Sequence, residues 1–192
     1  MEKTNIIDLR HPEYDAMIRN WRKWRMTYVS GDAYIEKYVK KFSKSEDENE
    51  FKERKEITYV PAFAKGAINE IKNSIFQRTA DITREGGPYN YKEAIAGRLG
   101  GVDLMGSSMN TFIGREILPE LLTMGKVGVF IDMPSIEEEQ TTRAESSKLS
   151  PYIYLYKAEN ILSWTTARHE DNYIFSSLLL RDFVEVPNKE TG

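Results

Sequence analysis

The chain contains no cysteine, which excludes disulfides and thiolate metal sites. It has only two histidines, His11 and His169, and neither stands in HExxH or another ligand spacing. No apolar run approaches the roughly 20 residues needed to span a bilayer. The opening residues, MEKTNIIDLRH, include no apolar signal-peptide region. The formal net charge of −3 supplies no basic field for tight nucleic-acid binding. Together these absences predict a chain made and kept in a cytosol-like compartment, or in a particle assembled there, with no membrane contact.

The 192 residues suffice for one domain with a real core. Hydrophobic residues make up 40% and charged residues 30%, ordinary for a globular protein. Three Trp and eleven Tyr are many for this length. Such side chains fill cores and also enrich subunit contacts.

Apolar spacing marks the helices. Tyr14, Met17, Ile18, Trp21 and Tyr28 share one helical face, with Pro12 near the first turn and Gly31-Asp32 as the stop. Tyr34, Ile35, Tyr38, Val39 and Phe42 suggest a second short helix. Ser43–Glu50 is charged and reads as a loop or a helix start. Phe51–Tyr59 predicts a helix up to Pro61, and Phe63 to about Arg78 a strong amphipathic one. Gly86-Gly87-Pro88 breaks the chain, and Tyr91–Leu99 is a short helical candidate. Met109, Phe112, Ile113, Ile117, Leu121 and Met124 mark another helix, with Ser107 or Ser108 as N-cap, a kink at Pro119 and Gly125 as its stop.

Beyond Gly125 the apolar period changes from 3.6 to 2. Strands are predicted at Lys126–Asp132, Tyr152–Tyr156 and Tyr173–Val186. The polar stretch Ser135–Ser150 predicts a mobile linker. Helices first and strands later argue an α+β fold. The expectation is a single domain over 1–192, helical over about 10–125, with a small mixed β-sheet over about 126–186.

No motif supplies catalysis. Gly125-Lys126 lacks the earlier Gly and the following Ser or Thr of a phosphate loop, where Glu120 and Val127 stand instead. Gly97, Gly100, Gly101 and Gly106 do not form GxGxxG, and no strand precedes them. His169 reads as a solvated turn residue. Asp132 reads as a strand-end turn or cap residue without a paired acid. The expected cofactor and metal sets are therefore empty. Arg19, Arg22, Lys23 and Arg25 form the basic cluster, which either is a solvated helix face or meets nucleic acid or an acidic neighbour. Trp21 and Trp24 either pack into a core or serve a subunit contact. Trp21, Trp24, Arg22 and Arg25 are the candidate interface residues.

Four segments carry a resemblance to a known family. They are HPEYDAMIRNWRKWRMTYVSGDAYIEKYV (His11–Val39), FKERKEITYVPAFAKGAINEIKNSIFQR (Phe51–Arg78), GGVDLMGSSMNTFIGREILPELLTMGKVGVFIDMP (Gly100–Pro134) and SPYIYLYKAENILSW (Ser150–Trp164). In this order they resemble the wing-containing N-terminal part of tailed-bacteriophage portal proteins. The third is similar to the family's D-x-x-G-x-S stretch, helix and G-[RK]-x-G strand ending in D-x-P. The fourth is similar to R-P-Y followed by Y-x-x-E-x-I-[IL]-x-W. Ser150 replaces the usual Arg, and Lys126 the commoner Arg.

The resemblance implies a portal wing-like α+β fold and no enzymatic activity. It implies a structural subunit of a head-tail connector ring in the virion, made in the host cytoplasm. Implied partners are further copies of the chain in a dodecameric ring, the capsid protein, and the terminase and neck or tail proteins. Double-stranded DNA would pass through the channel without sequence preference. Stem, clip and crown regions have no counterpart before Gly192, so the chain is expected to be the wing portion alone. Two other classes stay open: a cytosolic nucleotide-binding enzyme domain using Asp132 and the glycine-rich turns, and an adaptor that binds a protein through the Trp21/Trp24 helix.

Overall fold

A computed structural model describes residues 5–79, 86–133 and 151–183. The predicted linker 135–150 and the end of the last predicted strand, 184–186, lie outside these residues. The helices are α1 (Pro12–Val29), α2 (Asp32–Tyr38), α3 (Glu48–Ile57), α4 (Phe63–Thr79), α5 (Tyr89–Ile95), α6 (Met109–Phe112) and α7 (Leu118–Met124). The strands are β1 (Val127–Asp132), β2 (Tyr152–Lys157), β3 (Ile161–His169) and β4 (Asn172–Leu180). The class is α+β, as the change of period at Gly125 predicts.

Local chemistry sets several boundaries. At the start of α1, Pro12 occupies the first turn and His11 is the N-cap, its Nδ1 accepting from the Glu13 N–H at 3.2 Å. Gly125 closes α7 at φ 69°, and its N–H returns to the Leu121 carbonyl at 2.8 Å. Ser108, rather than Ser107, caps α6, its Oγ accepting from Thr111 N–H. The expected kink at Pro119 takes a particular form: residues Ile113–Ile117 wind as one π-helical turn between α6 and α7. That turn widens the ladder just before the proline, which has no N–H to contribute. Gly114 lies in the turn because α4 comes close. A Cβ there would sit 2.7 Å from ring carbons of Phe76.

The strands form two antiparallel ladders, not one mixed sheet. β1 pairs with β2 from Val127↔Lys157 to Asp132↔Tyr152. Phe130 lies opposite Tyr154, with ring centroids 5.9 Å apart, and meets Tyr156 edge-on at 5.0 Å. Such aromatic cross-strand pairs each contribute roughly 0.2–1 kcal/mol. β3 pairs with β4 as a hairpin whose turn is Glu170-Asp171, Glu170 having φ 52°. The strand β3 is absent from the sequence expectation, which left Ile161–His169 unassigned and put His169 in a turn. Trp164, Thr165 and Thr166 suit a strand. Residues 165–169 are nevertheless exposed, so no strict in-out alternation betrays the strand in the sequence.

The principal core cluster lies where α1 crosses the end of α7 and the base of β3. It contains Tyr14, Trp21, Met124, Ala158 and Leu162, with Met17, Ile18, Trp164 and Leu179 packed against it. Ala158 belongs to a single 3-10 turn, Ala158–Asn160, between β2 and β3. The far half of the β3–β4 hairpin leaves this core. Tyr173 and Phe175 there are 77% and 64% exposed.

Candidate assembly surface

The α1 helix divides the expected interface residues into two sets. Trp21 and Arg25 point inward. Trp21 is 2% exposed, and its Nε1–H donates to the Met124 carbonyl at 3.1 Å. Trp21 is therefore a core residue and not part of a free surface. Its spacing with Tyr14 and Met17 on one helical stripe accounts for this. Tyr14 meets it edge-on at 6.0 Å, and the Tyr14 hydroxyl donates to the Glu159 carbonyl at 3.2 Å.

Arg25 is also internal. Its guanidinium forks onto Glu120 of α7 at 2.5 and 2.7 Å, and onto Glu159 of the 3-10 turn at 2.8 and 2.9 Å. One cation thus ties α1, α7 and the β2–β3 connection. Burial alone would raise the Glu159 carboxyl. The hydrogen bonds and charge of Arg25 outweigh it and hold the group below the usual carboxylate range. Burial likewise lowers the guanidinium, and the two carboxylates more than reverse that, so Arg25 stays charged at any working pH.

Beside this junction, His11 stacks on Trp164 at 3.8 Å, and Lys126 Nζ lies 3.2 Å from the same ring centroid. Burial lowers the Lys126 ammonium, and Glu13 at 3.3 Å offsets this only in part. In the sequence His11 stands in no metal-ligand spacing. The His-Pro pair at a helix start is the signal that places it as a cap. His169 ends β3 and is exposed.

Arg22 and Trp24 point outward. Arg19, Arg22 and Lys23 are exposed and have no ion-pair partner among the described residues. Trp24, 39% exposed, borders a shallow groove of about 610 Å³ lined also by Met17, Leu122 and Lys126. Of the four candidate interface residues these two are exposed, on opposite flanks of the buried stripe of α1.

The remaining features have local duties. Asp103 Oδ1 accepts from the Met105 and Ser107 N–H groups at 2.9 and 3.1 Å, folding the loop that leads to the Ser108 cap. Burial raises the Asp103 carboxyl, but the Ser107 hydroxyl and these N–H groups bring it net below its ordinary value. The D-x-x-G-x-S stretch is thus a turn and a helix start. Asp132 is exposed, accepts from Met133 N–H at 2.8 Å, and lies 3.3 Å from the Tyr152 hydroxyl. Burial first, then Asp182, pushes the Tyr156 phenol up to about 12. A cleft of about 500 Å³ between α5 and the end of the β1–β2 ladder is lined, among the described residues, by Tyr91, Ile95, Val102, Met109, Ile131 and Ile153 with others, none of them a carboxylate, histidine or lysine. Among the described residues no three His, Asp or Glu side chains gather as a metal cluster. No helix there is long and apolar enough to cross a membrane.

No protein-family model matches the chain, and no curated protein sequence matches it.

Proposed function

We propose that this chain is the wing portion of a tailed-phage portal subunit. It is a structural, non-catalytic element of a head-tail connector ring in the virion, through which double-stranded DNA is packaged and ejected. Its partners on this reading are neighbouring copies of itself in a ring, the capsid protein, and the terminase and neck or tail proteins through other parts of the subunit.

The observation that carries the proposal is the four ordered portal-like segments. The way three of them meet supports it. Trp21 and Arg25 of the first, Glu120, Met124 and Lys126 of the third, and Glu159 and Trp164 of the fourth form one junction. Of these, Lys126, Glu159 and Trp164 stand at positions of the family-like patterns themselves. The exposed aromatic residues on the β3–β4 hairpin suit an element that packs against neighbours. A slightly acidic chain also suits a conduit that must not grip phosphates.

The test is negative-stain electron microscopy of the protein expressed in its full reading frame. Closed rings with a central channel are expected. Hydrolysis of a nucleotide that disappears on Asp132→Ala would instead favour an enzyme and overturn the reading.

A further inference from the structure

His11 fastens the start of α1 to β3. Its backbone N–H donates to the Leu162 carbonyl at 3.0 Å, and its own carbonyl accepts from Asp15 N–H at 3.2 Å to begin the helix. Its Nδ1 accepts from Glu13 N–H at 3.2 Å as the cap. Its ring lies on Trp164, with centroids 3.8 Å apart and planes 18° from parallel. The imidazole fills one face of that indole, so Lys126 Nζ, 3.2 Å from the ring centroid, occupies the other.

The cap fixes where a proton can go. A neutral imidazole has one N–H and one lone pair. Because Nδ1 is the acceptor, the hydrogen sits on Nε2, and the Nδ1 lone pair is the only site for a second proton. An imidazolium has two N–H groups and no acceptor. Protonation therefore sets two N–H donors against each other at the contact with Glu13. It also puts a cation at the N-terminus of α1, where the helix dipole disfavours positive charge, on an indole that already holds an ammonium. The nearby charges are mostly engaged. Glu13 pairs with Lys126 at 3.3 Å, and Glu159 of the Ala158–Asn160 turn with Arg25. Arg181 is held by Asn160 and the Glu159 carbonyl, and Arg10 by the Ile7 and Leu9 carbonyls. Asp15 in the first turn of α1 and Asp8 in the preceding 3-10 turn are the carboxylates that favour the protonated ring. Histidine is the side chain whose charge changes between about pH 5 and 8.

We propose that His11 is a pH-sensitive latch. Neutral, it caps α1 and clamps the first turn of that helix on β3. Protonated in mildly acidic medium, it loses the cap and its seat on Trp164, and the first turn of α1 comes free of the strand. The latch is a property of this junction and does not depend on ring assembly.

Amide hydrogen exchange of the intact chain, read by NMR and normalised to the intrinsic rate at each pH, tests it. Protection of the Glu13 and Asp15 amides should fall roughly fivefold between about pH 7.5 and about pH 5.5, the worth of one N-cap. His11→Asn and His11→Ser keep an acceptor that takes no proton in this range, and their protection should stay constant. His169→Gln, at the exposed second histidine, should leave the wild-type fall intact. Circular dichroism checks that each variant folds. Should a capping variant fail to fold, the wild type still decides, because the loss of protection must follow the titration of the His11 ring protons. Wild-type protection indifferent to pH, a loss that does not follow His11, the same fall in a folded capping variant, or a fall abolished by His169→Gln overturns the latch.

Discussion

Replacing Arg25 by Ala should expose how much of the fold hangs on one guanidinium. In the wild type Arg25 neutralises Glu120 and Glu159, and the three side chains are 21%, 15% and 14% exposed. Removing the cation leaves two mostly buried carboxylates close together without their countercharge. Breaking a fully buried pair costs about 3–5 kcal/mol, so these partly wetted groups should lose about 2–4 kcal/mol. For a chain of this size that lowers Tm by roughly 5–15 °C. The loss should depend on pH with a definite sign. Burial raises the Glu159 carboxyl, Arg25 more than offsets it, and the folded value ends depressed. Its contribution is therefore full above the unfolded value of about 4.3 and is lost as pH falls through the folded value. The Tm gap between wild type and variant should be widest near neutral pH and shrink toward about pH 4. Thermal unfolding followed by circular dichroism across that range measures it. Removing all three charges with Arg25→Met, Glu120→Gln and Glu159→Gln should recover much of the loss. A neutral-pH gap below about 2 °C, or the same gap at both ends of the range, would refute the reasoning.

Three other substitutions separate core from surface. Trp21→Phe loses ring volume and leaves the Met124 carbonyl without its donor, and should cost about 1–3 kcal/mol in chemical denaturation. Trp24→Ala, at a partly exposed position on the flank of α1, should change stability by less than about 1 kcal/mol yet weaken association. Gly114→Ala drives a methyl to within 2.7 Å of the Phe76 ring and should cost about 1–3 kcal/mol, with Phe76→Leu in the same chain recovering part of it. Asp103→Ala opens the loop before α6 and should cost about 1–2 kcal/mol, whereas Asp103→Asn, which keeps an acceptor, should cost less.

Helix positions were legible because their signals are local. Pro12, Ser108 and Gly125 each act within one turn of themselves. The strand at Val127–Asp132 was legible from the change of period beyond Gly125. Strand β3 was not, because its outer half is exposed on a projecting hairpin and its burial pattern does not alternate. Ladder arrangement was not legible either, since pairing Val127 with Lys157 depends on contacts far apart in sequence. The basic cluster on α1 read as a single feature. Only the position of α7 and the Ala158–Asn160 turn reveals that Arg25 turns inward while Arg22 turns out. Nothing local marks Glu120 and Glu159 as its partners, 95 and 134 residues away.

The proposed role places this chain in a closed ring. Native mass spectrometry of the protein expressed in its full reading frame tests it most directly. One dominant assembly is expected, at an integral multiple of the subunit mass large enough to close a ring, as the dodecamers implied by the portal resemblance would be. A monodisperse monomer at every accessible concentration would contradict it.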